Sequence, residues 1–337
     1  MIRTCCIVIA LAATAAGDVR GGDIALYFSR PGATNYHPSP EDGLAALIDS
    51  ARESFHGAFY EISSPRIAGR LMAAKRRGVD VRLVLERDTR GPVIEELERA
   101  GIPVVSDDGP GLMHNKFAVV DGAIVWTGSY NATPNGAGAN DNNALLLRSP
   151  ELAALYLREF REMFEDGVFG NRRGGRPFSG PVLRRRASVG GAAIRAYFAP
   201  EDRVERVIAR LLRGARSDVR FLAFTFTNNR LADEMLALRR RGVTVSGVFE
   251  RGGALTEFSE YMKFRVEGVD ARLDSSPGLM HHKVIIIDGR IVITGSFNFT
   301  RGADMSNDEN ILVIESGEVA REYLKEFARL HGAASVR

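Results

Sequence analysis

Gly111-Leu-Met-His-Asn-Lys-Phe-Ala-Val-Val-Asp-Gly-Ala-Ile-Val-Trp-Thr-Gly-Ser-Tyr-Asn-Ala-Thr133 is written again further along the chain as Gly278-Leu-Met-His-His-Lys-Val-Ile-Ile-Ile-Asp-Gly-Arg-Ile-Val-Ile-Thr-Gly-Ser-Phe-Asn-Phe-Thr300. The two stretches align without a gap at an offset of 281 − 114 = 167. A second matched pair lies upstream, where Arg76-Arg-Gly-Val-Asp-Val-Arg-Leu-Val-Leu-Glu86 corresponds to Arg240-Arg-Gly-Val-Thr-Val-Ser-Gly-Val-Phe-Glu250. Self-similarity at a fixed period means that one structural unit has been duplicated. The chain of 337 residues also exceeds what one core usually organises.

Each copy gives the same coarse pattern. An amphipathic helix (about 43–55 and 201–214) precedes a short apolar strand (57–62 and 219–226). A second helix (65–77 and 229–241) stops at Gly78 and Gly242, and a strand then ends at Glu86 or Glu250. The quoted stretch predicts a hairpin, Phe117 to Val120 and Ile124 to Thr127 around Asp121-Gly122, repeated as Val284 to Ile287 and Ile291 to Thr294 around Asp288-Gly289. A strand (143–148 and 310–314) and a helix (150–164 and 317–331) close each copy. Alternating helices and strands predict an α/β fold with helices on both faces of each sheet.

Strand alternation puts His114 and Lys116 on one face with Asn115 on the other, and likewise His281 and Lys283 with His282 turned away. Such a pair suits phosphate chemistry, because the lysine holds an anionic oxygen while the imidazole attacks or protonates. Ser129 and Asn131, and Ser296 and Asn298, recur on the next strand and offer hydrogen bonds to non-bridging phosphoryl oxygens. Tyr60, Phe224, Phe226 and Trp126 read as core. Glu86 and Glu250 either face the cleft or pair with Arg87 and Arg251. A zinc site from His114, His281 and His282 lacks both cysteines and ligand spacing.

The pattern H-x-K-x4-D followed by G-S-x-N, present twice and intact, resembles the phospholipase D superfamily over residues 24–165 and 195–332, with the motifs at 108–135 and 275–302. Upstream segments are similar to the compact bacterial Nuc-like and cardiolipin-hydrolase-like branch. The resemblance implies two tandem α/β/α repeats related by a pseudo-twofold, with one active site at their interface. It implies a phosphodiesterase in which one histidine attacks phosphorus to form a phosphohistidine. The other protonates the leaving group and then activates water, with no cofactor or metal. Asp121 and Asp288 would support the hairpin turns.

In this superfamily a side chain downstream of each motif binds the far ring nitrogen of a histidine. Glu309 stands 309 − 281 = 28 residues after His281, and Asn142 stands 142 − 114 = 28 after His114. Pairing within each repeat makes His281, with a carboxylate partner, the general acid and then base, and His114, with an amide partner, the nucleophile. A similar amide and carboxylate asymmetry in the tyrosyl-DNA phosphodiesterase branch favours the same assignment.

Three expectations concern context. Arg3, the apolar run Cys5 to Ala16 and small residues before Gly17 read as a signal peptide over 1–17, hence a secreted or periplasmic protein. Both cysteines, Cys5 and Cys6, lie in that segment, so the mature chain would have none. Residues 166–194 are Gly- and Arg-rich, with Arg172, Arg173, Arg176 and Arg184 to Arg186, and read as a linker or a cationic lip. The substrate is a phospholipid head group or, alternatively, a nucleic-acid phosphodiester, with transient membrane-surface contact and a monomeric chain without an obligate protein partner. A catalytically silent binding module is disfavoured by two complete motifs. The net charge of +3 demands neither substrate.

Overall fold

The computed structural model describes residues 18–19, 22–32, 38–170 and 185–335; the expected signal segment and Arg172, Arg173, Arg176 and Arg184 lie outside them. The first repeat runs β1 (Asp18–Val19), β2 (Ile24–Phe28), α1 (Pro40–Ser50), β3 (Ser54–Phe59), α2 (Pro65–Arg76), β4 (Asp80–Leu85), α3 (Pro92–Arg99) and β5 (Val104–Ser106). It continues with β6 (Lys116–Val120), β7 (Ile124–Gly128), α4 (Pro134–Gly138), β8 (Asn143–Arg148) and α5 (Pro150–Phe164). The second runs β9 (Arg186–Val189), β10 (Ala192–Ala199), α6 (Val204–Arg213), β11 (Asp218–Ala223), α7 (Asn229–Arg240), β12 (Thr244–Phe249), α8 (Arg251–Ala254), α9 (Tyr261–Val266) and β13 (Asp270–Leu273). It ends with β14 (Lys283–Ile287), β15 (Ile291–Gly295), α10 (Arg301–Met305), β16 (Glu309–Glu315) and α11 (Gly317–Ala333).

The strand orders, β1-β2-β8-β7-β6-β3-β4-β5 and β9-β10-β16-β15-β14-β11-β12-β13, are identical once eight is added to each label of the first. The duplication therefore extends to topology. The fold is α/β with two repeats, as expected, and each sheet carries helices on both faces. One correction concerns the stretch 166–194: β9 and the start of β10 fall inside it and extend the second sheet through an antiparallel pair. Helices α3 and α9, which precede the motif strands, were not legible in the sequence pattern.

Three cores stack in sequence. An outer core packs α1, α2 and α3 on the first sheet, and a second packs α6, α7 and α9 on the other. Between the sheets a third, shared core is built from α5, α11 and the inner faces of both sheets. Leu152, Leu155, Tyr156 and Phe160 of α5 and Val319, Tyr323 and Phe327 of α11 are buried there. One buried core joining two repeats makes them a single rigid unit, so groups can meet across their junction with fixed geometry.

The tight Asp-Gly turns carry a second function. Asp121 and Asp288 take positive φ of 50° and 52°. Their carboxylates accept backbone N–H bonds from Arg52, Glu53 and Ser54, and from Arg216, Ser217 and Asp218, respectively. Each motif aspartate thus ties its hairpin to the start of the neighbouring strand, β3 or β11, and does not face the histidines.

Candidate active site

The segments that lead into β6 and β14 cross the repeat boundary. Met113 bridges Asp308, and Met280 bridges Asp141, each in parallel. His114 N–H donates to Asp308 O at 3.0 Å and His281 N–H to Asp141 O at 2.9 Å. Glycines make this approach possible: a Cβ on Gly111 would lie 2.0 Å from Ser306 O, and one on Gly278 would lie 1.6 Å from Ala139 O. Both contacts are far inside van der Waals distance, so only glycine fits.

The crossing overturns the expected histidine pairing. His114 Nδ1 lies 2.9 and 2.8 Å from the two oxygens of Glu309, in the opposite repeat. His281 Nδ1 lies 2.9 Å from Asn142 Oδ1 and 3.1 Å from Ser129 O, again across the boundary. A carbonyl and an amide oxygen only accept, so His281 carries its proton on Nδ1 and turns Nε2 to the cleft. The carboxylate imposes the same tautomer on His114. Sequence spacing could not reveal the exchange, because Glu309 and Asn142 are equally spaced from the histidines of their own repeats.

Ser129 and Ser296 are also corrected. Both are fully buried. Ser129 Oγ donates to Asn142 Oδ1 at 3.1 Å and Ser296 Oγ to Glu309 Oε2 at 2.6 Å, while accepting the N–H of Asn143 and Asn310. Each hydroxyl spends its one proton orienting a histidine partner and has none for phosphate. Asn131 and Asn298 stay outside that network: each has a buried Oδ1 with no partner among the described residues. These two amides remain available to a phosphoryl group.

Lys116 and Lys283 are almost wholly buried. Each Nζ donates to the carbonyl of its own histidine, at 2.6 and 2.9 Å. Each also lies over an aromatic ring, Lys116 at 4.9 Å from the centroid of Tyr60 and Lys283 at 4.5 Å from that of Phe224. The same rings meet the imidazoles edge-on, at 4.9 Å for Tyr60 and His114 and 4.5 Å for Phe224 and His281. Tyr60 and Phe224 therefore wall the site and are not core residues, whereas Phe226 and Trp126 are core. Their place at the end of matched strands, β3 and β11, was the signal for this.

Electrostatics follow from burying four basic groups together. Burial pushes Lys116 down to about 7, against the pull of Glu309 and Glu61, and holds Lys283 well below the ordinary lysine value. Burial and both lysines hold His114 and His281 well below the usual imidazole range. Burial raises Glu309 to about 8, opposed by Lys116. This concentrated, desolvated positive field lacks an anion, and a phosphodiester supplies one.

Around the site, Glu86 neither faces the cleft as a free acid nor pairs with Arg87. Its Oε2 accepts the N–H of Met113 at 2.8 Å, fixing the approach to His114. Glu250 caps α8 through the N–H of Gly253. His282 points away from the cleft, as expected, with Nδ1 3.1 Å from Asn143 Oδ1 and Nε2 3.4 Å from Glu326. No group of three or more metal-ligating His, Cys, Asp or Glu side chains occurs among the described residues.

Residues 44–164 and 208–331 match the family model described as "Cardiolipin synthase, PLD-like domain". The chain belongs to the phospholipase D superfamily of phosphodiesterases. Mitochondrial cardiolipin hydrolase of Xenopus laevis is 39% identical over 125 residues, 37% of this chain and 59% of that protein's length. A phospholipase D of Rickettsia typhi is 31% identical over 159 residues, 47% of this chain and 75% of the relative. Among solved structures, phosphatidylserine synthase of Haemophilus influenzae superposes with a TM-score of 0.70 at 15% identity, covering 93% of this chain and 87% of its own. That likeness shows that both phospholipase D-like repeats share one established architecture.

Proposed function

We propose that this superfamily member is an exported phosphodiesterase that hydrolyses the head-group phosphodiester of a glycerophospholipid through a phosphohistidine on His114. The observation that carries the reading is the convergence of His114–Lys116 and His281–Lys283 in one buried site with both Nδ1 atoms occupied and both Nε2 atoms turned to the cleft. Lys116, Lys283, Asn131 and Asn298 hold the non-bridging oxygens. His114 Nε2 attacks phosphorus, the bond from phosphorus to the head-group oxygen breaks, and His281 Nε2 delivers the proton to that oxygen. His281 then takes a proton from water, whose oxygen attacks the same phosphorus and releases phosphatidate and free His114. An alcohol in place of water gives transphosphatidylation.

The crossed pairing changes the reason for this assignment. Ground-state protonation by a carboxylate no longer favours His281 as the acid, because the carboxylate sits on His114. What supports His114 as nucleophile is the charge after attack: a phosphorylated imidazole whose Nδ1–H remains is cationic. Glu309 fixes the tautomer needed for attack and stabilises that cation, as a buried carboxylate does behind a histidine in a catalytic triad.

Two observations support a lipid. The relatives above carry phospholipase D and cardiolipin hydrolase activity in their names. Leu112 and Leu279, two residues before each histidine, are 36% and 42% exposed and give the cleft an apolar rim. Among the described residues no helix is long and apolar enough to cross a membrane. Purified protein should release head group or phosphatidate from phosphatidylcholine or cardiolipin, with His114→Ala inactive. Cleavage of single-stranded DNA without lipid turnover would replace this reading with a nuclease.

A further inference from the structure

A cavity of about 510 Å³ in the second repeat is lined by Arg203, Arg206, Arg230 and Arg301 together with Glu205 and Asp304. Three chain segments that leave the active site wall it. Pro200 follows Ala199, whose ladder partner is Glu309. Thr227 lies three residues beyond Phe224, and Arg301 three beyond Asn298. The cavity is therefore at the rim of the catalytic cleft.

Its two acids are already committed. Glu205 accepts from Asn228 Nδ2 at 2.9 Å and Arg230 at 3.0 Å, and Asp304 accepts the N–H of Glu205 at 2.7 Å. Among the described residues, Arg203, Arg206 and Arg301 make no ion pair; all three are exposed. Four cations against two carboxylates leave the cavity positive.

The duplication supplies a built-in control. In the first repeat Glu41 accepts from Ser64 at 2.6 Å and Arg66 at 3.4 Å, so Glu41, Ser64 and Arg66 stand where Glu205, Asn228 and Arg230 stand. On that register Arg203 and Arg206 correspond to Ser39 and Asp42. Arg301, first residue after the helix-capping Thr300, corresponds to Pro134, after Thr133. There Asp42 takes Arg66 at 2.7 Å. The same fold thus carries a self-neutralised acidic corner in one repeat and an unpaired arginine cluster in the other. Support of the fold requires no such cluster, since the first repeat does without it.

We infer that this cavity is a subsite for a second phosphate of the substrate, so that the enzyme prefers phosphodiesters carrying a further phosphate beside the one being cut. The inference deepens the phosphodiesterase reading and rests on it for its kinetic arm. Guanidinium groups suit this ligand because they donate paired hydrogen bonds to phosphate oxygens and stay charged.

Inorganic phosphate titrated calorimetrically into the intact protein should fill two sites, and Arg206→Ala/Arg301→Ala should remove one. Unchanged stoichiometry in the variant, or one site in the parent, overturns the subsite. Because no turnover is involved, this result is separate from the fate of the phosphodiesterase reading. Kinetically, the variant should keep the parental kcat/KM on bis(p-nitrophenyl) phosphate, which carries one phosphate. Its KM should rise about tenfold, the loss of one charge-assisted contact, on a substrate with two phosphodiesters. Cardiolipin in mixed micelles and a thymidine trinucleotide are the two arms, and the one whose KM rises identifies the source of the second phosphate. Equal KM values on both arms, or loss of activity on bis(p-nitrophenyl) phosphate, sink the proposal.

Discussion

Glu309 belongs to the second repeat, yet both its oxygens lie within 2.9 Å of Nδ1 of His114 in the first. Neither half can thus assemble a complete histidine pair by itself, and the duplication has become an obligate partnership. The exchange also breaks the symmetry chemically, because the reciprocal partner of His281 is the amide of Asn142.

Glu309→Gln tests the unequal pair. The substitution keeps shape and an acceptor oxygen but removes the charge that would stabilise phosphorylated His114. We expect kcat to fall by about 10³-fold or more, as when the carboxylate of a catalytic triad becomes an amide. His281→Ala should accumulate a phosphoenzyme from a substrate with a good leaving group, mapped by mass spectrometry to His114. Phosphate found on the other histidine in an active enzyme would exchange their roles.

Lys116 places function against stability. Its folded value of about 7 lies below the ordinary lysine value of 10.5, so between those pH values the unfolded chain binds the extra proton. The penalty for burying the charge is therefore full below about pH 7 and fades as pH rises toward the ordinary value. Lys116→Met should raise unfolding free energy by about 1–4 kcal/mol at pH 6, a gain that shrinks toward pH 10, while abolishing turnover. Urea titrations across that range check it; a variant less stable than the parent at pH 6 contradicts it. For the parent, kcat/KM should decline above pH 7 while kcat holds to higher pH, since a bound phosphodiester favours the charged lysine.

Behind the site, Arg329 donates to Asp141 and Glu326, and Glu326 faces His282. Burial alone would raise Glu326, but the bonds from His282 and Arg329 outweigh it and hold the carboxyl near 2. That lowered value contributes stability which is present above the ordinary carboxyl range and lost as pH falls toward 2. Arg329 is one-third exposed, so Arg329→Met should cost about 2 kcal/mol, below the range for a fully buried pair. It should also move the acid unfolding midpoint to higher pH. An unchanged acid midpoint would show that Arg329 is not what holds Glu326 ionised.

Much of this was legible in the chain because duplication prints local pattern twice. The hairpins, the closing strand and α5 were placed within a residue or so, since Asp-Gly turns and the caps Ser149 and Ser316 are local signals. The two histidine and lysine pairs were legible for the same reason. The exchange of Glu309 and Asn142 was not, because it depends on how the repeats dock. Nor were the roles of Ser129 and Ser296: strand alternation says which face a residue takes but not which neighbour claims its only proton. Tyr60 and Phe224 looked like core because they end apolar strands, and only the position of the cleft turns them into its walls.

The docking itself hangs on Gly111 and Gly278, and these give the most selective test. A Cβ at either position would meet a backbone carbonyl of the other repeat, Ser306 O or Ala139 O, so neither flexible side-chain motion nor a rotamer change can relieve it. The loop must shift instead. Gly111→Ala displaces the segment that carries Asn307 to Glu309 and should disturb His114, whereas Gly278→Ala displaces Asn140 to Asn142 and should disturb His281. Misplacement by about 1 Å is enough to cost about 10²-fold in rate. We therefore expect each variant to lose about two orders of magnitude in kcat while circular dichroism shows both repeats folded. The effects should separate at the covalent step: Gly111→Ala slows formation of the phosphoenzyme, and Gly278→Ala slows its hydrolysis as well. Parental kcat in either alanine variant would mean that the cross-repeat bridges do not set the catalytic geometry.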